Sequence, residues 1–188
     1  MPDQELGPFK EFIELTELLA ADFDEAATNL KSKTQCERRA LVRTFFAYVE
    51  AARFLLKKLA LHLYDPKVNP CFSNAELALL REESYDLDRK GFPITRTKFL
   101  PFETDLRFAF RAAAKAFGVD DPVDVSGKNW EGFKVARSLR DRITHPNNVK
   151  DCDVNINSLF SIVYASHWLN KTMTKLKRDV DRKLSPKD

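Results

Sequence analysis

The chain is poor in the residues that break or cross-link a fold. Its 188 residues include 5 glycines and 3 cysteines, but 15 phenylalanines. A chain of this length can bury a sizeable core without disulfides, so we expect one domain. Few glycines and many bulky aromatic side chains favour a compact, helix-rich protein.

The sequence also lacks the marks of a secreted, membrane or zinc protein. No apolar run approaches the roughly 18 residues of a membrane span, and MPDQELGPFKEF has neither the basic nor the apolar part of a signal peptide. Cys36, Cys71 and Cys152 are scattered, with no CxxC or Cys/His cluster. We therefore predict a cytoplasmic protein with reduced cysteines, no metal, no cofactor and no membrane partner.

The charges are unevenly distributed, although the net charge is only +3. Residues 1–30 contain eight acids and one base, whereas residues 31–60 contain eight bases and two acids. The segment NKTMTKLKRDVDRKL near the C-terminus is also basic. A basic body with one acidic segment could offer a surface to phosphates, but solvated helix faces are the more ordinary explanation of any one cluster.

Helical periodicity dominates the first half of the chain. Apolar residues recur at helical spacing in PFKEFIELTELLAADFDEAATNL, which predicts a first helix. Thr34 and Glu37 fit a capping box, so a second helix is predicted from Gln35 to about Leu63. Its apolar stripe is Leu41, Phe45, Val49, Ala52, Leu56, Leu59 and Leu63. A second capping box, SNAE, precedes a third helix predicted over Ala75–Leu87.

The second half of the chain alternates loops with further helices. RKGFPITRTKFLP contains glycine and two prolines, which predicts extended chain or a small hairpin. Pro101 suits the first turn of a fourth helix, and Gly118 ends it. A fifth helix is predicted from about Asn129 to Ile143, and a sixth from about Asn157 to Lys183. The predicted core of the sixth is Leu159, Phe160, Ile162, Val163, Trp168, Met173 and Leu176.

Long helices joined by short loops are typical of helical bundles. We therefore predict an all-α fold, an up-and-down bundle of about five to six helices. This bundle would carry a short non-helical insertion.

The stretch LRDRITHPN, residues 139–147, places an arginine, a histidine and a proline close together. On a helical wheel, Arg140 lies within about 40° of the centre of the apolar face, whereas Arg142 points away into solvent. That face consists of Phe133, Ala136, Leu139 and Ile143. A guanidinium beside the core is costly without a partner, so Arg140 should meet an acid of another helix or a phosphate of a ligand.

The helix should end just before His145. Pro146 disfavours helical geometry at the preceding residue, which places the helix end near Thr144 and His145 in the following loop. From there the imidazole can turn toward Arg140. The two side chains would then combine a fixed positive charge with a group that transfers protons near neutral pH.

That combination suits cleavage of RNA. A histidine can take the proton of the ribose 2′-OH, and an arginine can stabilise the negative charge of the phosphorane. This chemistry requires no metal. One imidazole cannot easily serve as both base and acid, so a symmetric dimer with two facing motifs would help.

The same residues also fit an ordinary helix end. Arg140 could pair with Asp141 or with an acid of a neighbouring helix, and the helix dipole stabilises a cationic His145. The residues alone leave both interpretations open.

Two segments resemble a known family. ARSLRDRITHP resembles the R-x4-6-H motif of HEPN domains, with a polar residue directly after the arginine. LVRTFFAYVEAARFLLKKL is similar to the early helix of those bundles, which often carries a glutamate in an aromatic and aliphatic setting. The resemblance implies a single HEPN-like helical domain over residues 1–188, with an insertion at about 65–100.

Carried over by position, the resemblance implies that Arg140 and His145 are the catalytic pair. Asp141 would be the polar residue that helps to orient them. Glu50 is a weaker candidate for a supporting role, because an ion pair with Arg53 at i,i+3 explains it slightly better.

Asn147 stands where some family toxins have a tyrosine, and it is a candidate ligand contact. Many family members are dimeric, metal-independent ribonucleases of toxin–antitoxin or defence systems. The resemblance therefore implies an RNA substrate, a homodimer, and an antitoxin or other protein as partner. The alternative is a non-catalytic bundle that binds RNA, a nucleotide or a protein.

Overall fold

The computed structural model describes residues 7–29 and 34–185. It contains a mostly helical bundle with one two-stranded antiparallel sheet, which confirms the predicted fold class. The elements are α1 (Gly7–Thr28), α2 (Gln35–His62), α3 (Asn74–Leu80), β1 (Glu83–Leu87), β2 (Pro93–Thr97), α4 (Phe102–Phe117), α5 (Lys128–Thr144), a 3-10 turn (Val149–Cys152) and α6 (Ile156–Leu184). None of the helices in these ranges has the length and apolar character needed to cross a membrane.

Both predicted capping boxes are confirmed. The hydroxyl of Thr34 accepts a hydrogen bond from the amide of Glu37 at 3.3 Å, and the Glu37 carboxylate accepts one from the amide of Thr34 at 3.2 Å. Ser73 and Glu76 make the same reciprocal pair at the start of α3. Each box satisfies amides that the first helical turn leaves without partners.

The third helix is shorter than predicted. It ends at Leu80, and the residues predicted as its last turns form β1, which pairs with β2 in the small hairpin. Glu82 adopts a positive φ of 56°, which interrupts the helix without a glycine or proline to announce it. The predicted helix over Ala75–Leu87 was therefore wrong in its second half.

The core forms around α2, which contacts α1, α4, α5 and α6. Its predicted apolar stripe is buried except for Leu63, which is partly buried in a second cluster beside α3. An aromatic group joins α5 to α6: Trp130 stacks on Phe133 with ring centroids 5.3 Å apart, and Trp168 lies 4.8 Å from Trp130. These contacts fix α5, the helix that carries the motif, against the bundle.

Helix α6 buries only part of its predicted core. Ile162, Trp168 and Leu176 are buried, but Phe160 and Val163 are exposed. At about 100° per residue, these two side chains lie on the side opposite the buried face. The prediction was wrong for both because it counted apolar residues without following their angular positions.

Helices α5 and α6 approach each other closely at Gly132. A Cβ atom at this position would overlap the side chain of Tyr164. Glycine therefore allows the two backbones to come together at the start of the motif helix.

Candidate active site

The motif helix ends where the proline predicts. Thr144 is the last residue of α5, and His145 caps the helix with φ −125° and ψ 62°. The amide of His145 still donates to the carbonyl of Asp141 at 3.0 Å, so the chain leaves the helix at this residue. His145 therefore lies at the junction between a rigid helix and the loop that leads to α6.

Arg140 is held between two carboxylates. Its Nη2 atom forms an ion pair with Glu50 of α2, and its Nη1 atom lies 3.1 Å from Oδ1 of Asp141. The Arg140 side chain is 28% exposed, as expected for an arginine beside the core face. A guanidinium has five N–H donors, so two carboxylate contacts leave donors that can face a ligand.

Glu50 pairs across the bundle and not along its own helix. The i,i+3 pair between Glu50 and Arg53 was the wrong interpretation, because Arg53 forms its ion pair with Asp105 of α4. Asp105 is also 3.0 Å from the ammonium of Lys57, and both of these side chains are almost fully buried. Arg53 is drawn to this buried acid, which leaves Glu50 for Arg140.

Asp141 connects the motif to a second arginine. Its Oδ2 atom lies 3.1 Å from Nε of Arg137, and Nη1 of Arg137 lies 3.5 Å from Glu103 of α4. The charges therefore alternate from Glu103 through Arg137 and Asp141 to Arg140. This series of ion pairs, together with Glu50, restricts the side-chain conformation of Arg140.

His145 and Asn147 face solvent. The His145 side chain is exposed and makes no hydrogen bond or ion pair with another residue of the described part of the chain. Asn147 is also exposed, and its main-chain amide donates to Asp151 at 2.8 Å. The structure thus brings Glu50, Asp141 and Arg140 together, with His145 at the end of the same helix.

The loop after His145 is anchored at several points that the sequence did not reveal. Arg142 was expected to point into solvent, but it donates to the carbonyls of Lys150 and Asp153 at 3.1 and 3.0 Å. The Asp151 carboxylate accepts hydrogen bonds from the amides of Asn147 and Asn148 at 2.8 and 3.2 Å. These bonds hold a short loop in a defined conformation next to His145.

The first turns of α2 hold the far end of the same loop. Gln35 exchanges two hydrogen bonds with the main chain of Val154, at 2.9 and 3.2 Å. Arg38 and Arg39 donate to the carbonyls of Val154 and Cys152 at 2.9 and 3.1 Å. The only sequence signal for these contacts is their spacing, since positions 35, 38 and 39 share one face of a helix.

A cavity of about 360 Å3 opens at the other end of α5. Two of its three lysines already have oxygen partners: Lys171 lies 3.1 Å from Asp124, and Lys175 donates to the carbonyl of Asp121 at 2.6 Å. Hydrogen bonds from Ser126 hold the pKa of Asp124 down at about 2, so this carboxylate stays charged beside Lys171. The motif itself lies on an open surface and not in this cavity.

No group of three or more metal-ligating side chains occurs among the residues that the structure describes. Comparisons of the chain with models of protein families, with curated proteins and with solved structures found no match.

Proposed function

We propose that the protein is a metal-independent endoribonuclease of the HEPN type. One observation carries the proposal: an arginine held by two acids, Arg140, lies one turn before an exposed histidine, His145, at the end of a rigid helix. The arginine is oriented and half-buried, whereas the histidine is free to meet a substrate. A fixed cation and a proton-transfer group are the two functions that RNA cleavage by the 2′-OH needs.

In the proposed reaction, His145 removes the proton of a ribose 2′-OH. The resulting alkoxide attacks the adjacent phosphorus, and the Arg140 guanidinium stabilises the negative charge of the phosphorane. The bond from phosphorus to the 5′-oxygen then breaks, and a protonated imidazole gives that oxygen a proton. The products are a 2′,3′-cyclic phosphate and a free 5′-hydroxyl.

Glu50 and Asp141 act as positioning residues in this scheme. Their carboxylates fix the guanidinium before the substrate arrives, so less conformational freedom is lost in the transition state. They also lower the local positive charge, which weakens binding of the ground-state phosphate. Asn147, which is exposed beyond His145, is a candidate contact for the nucleotide next to the cleaved bond.

A second copy of the chain would complete the site. A single imidazole must change roles between base and acid, whereas two facing motifs supply one imidazole for each role. We therefore propose a homodimer in which the motifs lie near the two-fold axis. We further propose a toxin or defence role in the cytoplasm, with an antitoxin or another protein as a partner that controls the activity.

A non-catalytic bundle that binds RNA, a nucleotide or a protein is the second candidate. The ion pair between Arg140 and Glu50 favours it, because the same contact ties α2 to α5 whether or not any chemistry occurs. One substrate distinguishes the two candidates: an end-labelled RNA with a single 2′-deoxy nucleotide at the cleavage site. The ribonuclease cuts the all-ribose strand and spares the modified one, since the attacking oxygen is absent. A non-catalytic bundle leaves both intact.

A further inference from the structure

Four arginines at the end of α5 and its following loop have no acidic partner among the described residues. Arg38, Arg39, Arg43 and Arg142 have no carboxylate within 4.0 Å in the part of the chain that the structure describes. Elsewhere in the described residues, most arginines have one. Those with a carboxylate within this distance are Arg53, Arg96, Arg111, Arg137, Arg140, Arg178 and Arg182.

The four guanidiniums donate instead to main-chain carbonyls of one short region. Arg38 and Arg39 reach the carbonyls of Val154 and Cys152, and Arg43 reaches the carbonyl of Ile143 at 3.5 Å. Arg142 of α5 donates to the same loop, at the carbonyls of Lys150 and Asp153. A carbonyl oxygen carries only a partial charge, so each guanidinium keeps most of its positive charge and has donors to spare.

The acids of this region reduce that charge only in part. The Asp151 carboxylate is occupied by the amides of Asn147 and Asn148. Asp153 contributes its main-chain carbonyl to Arg142. The region contains three acids, Glu37, Asp151 and Asp153, and five bases, the four arginines and Lys150. Its net charge is therefore +2.

Three of the four cations lie along α2 in an order that leads to the motif. Along α2, Arg38, Arg39 and Arg43 occupy neighbouring positions on one face, and Glu50, two turns further on, meets Arg140. Arg43 touches the carbonyl only two residues before His145. A strand that follows this face therefore passes cations spaced along the helix before it reaches the proposed catalytic pair.

We propose that Arg38, Arg39, Arg43 and Arg142 form a phosphate-binding surface for a single RNA strand that flanks the cleaved bond. This inference rests on the proposed function, because it identifies the flanking phosphates of the same substrate. The carbonyl contacts fix each guanidinium in advance, which lowers the entropy lost on binding. The surface contacts phosphates and not bases, so it binds single strands of different sequence with similar affinity.

The test is the salt dependence of RNA binding. The full chain carrying His145→Ala, which does not cut, is titrated with a fluorescent single-stranded RNA in EDTA, and anisotropy is followed between about 50 and 200 mM salt. The slope of log K against log salt falls by about 0.7 for each phosphate contact that a single strand loses. Replacing each arginine by glutamine should lower the slope by about that amount, and replacing all four should add the losses.

Two matched variants separate charge from loop anchoring. Glutamine keeps an N–H donor for the carbonyl but loses the charge, whereas lysine keeps the charge and loses the planar fork. Arg→Lys variants should therefore retain the slope. Lys90→Gln, which removes an exposed cation of the hairpin turn, is the control for general surface charge and should leave the slope unchanged.

The inference would be overturned by a lack of RNA binding in the starting chain, by an unchanged slope in the fourfold glutamine variant, or by an equal loss of slope in Lys90→Gln. Single-stranded DNA of the same sequence should compete with the RNA, since the surface contacts only phosphates. Failure of the DNA to compete would also contradict the inference. The proposed function is tested separately in the chain with His145 intact. If the chain cuts RNA but the glutamine variants keep the original salt slope, only the phosphate-binding surface is rejected. If the glutamine variants change the slope but the chain does not cut RNA, only the proposed ribonuclease activity is rejected.

Discussion

Arg140 of α5 and Glu50 of α2, ninety residues apart in the chain, form an ion pair. This pair joins the motif helix to the central helix of the bundle. Both side chains remain partly exposed, at 28% and 40%, so the contact is open to a ligand at its outer edge.

Removal of the Glu50 charge should separate binding from chemistry. In Glu50→Gln, the loss of a negative charge should tighten RNA binding, while a less restricted Arg140 should lower kcat by about tenfold to a hundredfold. Stability should fall by less than about 1 kcal/mol, because partly exposed ion pairs contribute little. Single-turnover cleavage at increasing protein concentration measures binding and the rate of cleavage, and urea unfolding measures stability. Parallel losses of binding and of stability by several kcal/mol would show a purely structural role.

Loss of the Asp151 carboxylate, which anchors the loop after His145, should lower the rate of cleavage more than it lowers folding stability. Asp151→Ala removes the acceptor for the amides of Asn147 and Asn148 and should cost about 1 kcal/mol, as loss of a cap does. Amide exchange after His145 should become faster, and kcat should fall. Ser73→Ala is the control, because it removes the N-cap side chain of a capping box at the start of α3, away from the motif. Equal losses of activity in both variants would refute a positioning role for the loop.

The hairpin should be sensitive to acid through Glu82. A hydrogen bond from Lys57 holds the pKa of Glu82 below its ordinary value of 4.5. A carboxylate with a lowered pKa stabilises the folded state above pH 4.5, and that contribution is lost as the pH falls through its folded-state pKa. The Tm difference between the wild type and Glu82→Gln should therefore shrink as the pH is lowered below 4.5. A difference that stays constant with pH would contradict this assignment.

Assembly provides an independent prediction. Light scattering at micromolar concentration should give the mass of a homodimer, because two motifs are needed for separate base and acid roles. Cross-linking through a cysteine placed at Asn147 should join two copies if the motifs face each other. A monomer, or a dimer with widely separated motifs, would leave the two-histidine scheme without support.

Much of the fold could be predicted because local chemistry determines it. The boxes at Thr34 and Ser73 satisfy amides of their own first turns, and the stripe of α2 follows helical periodicity. The end of α5 was predictable because Pro146 acts on the residue before it. The break at Glu82 was not, since no glycine or proline marks its positive φ and its carboxylate meets Lys57 only in the folded chain.

The sequence predicted which residues form the candidate site, but not which residues they contact. The wheel position of Arg140 predicted a partner for its charge, yet the choice of Glu50 depends on how α2 and α5 lie together. Arg142 was placed in solvent because a wheel describes one helix and ignores the returning loop. That loop supplies the carbonyls of Lys150 and Asp153 as acceptors.

The most direct measurement is cleavage of end-labelled RNA in EDTA by the wild type, His145→Ala and Arg140→Ala in parallel. The wild type should cut and leave a 2′,3′-cyclic phosphate or 3′-phosphate end. His145→Ala should not cut, and Arg140→Ala should cut on the order of 100-fold more slowly, with both variants folded as judged by circular dichroism. Undiminished cutting by His145→Ala, or RNA binding without any cutting by the wild type, would contradict the assignment of this motif as a ribonuclease site.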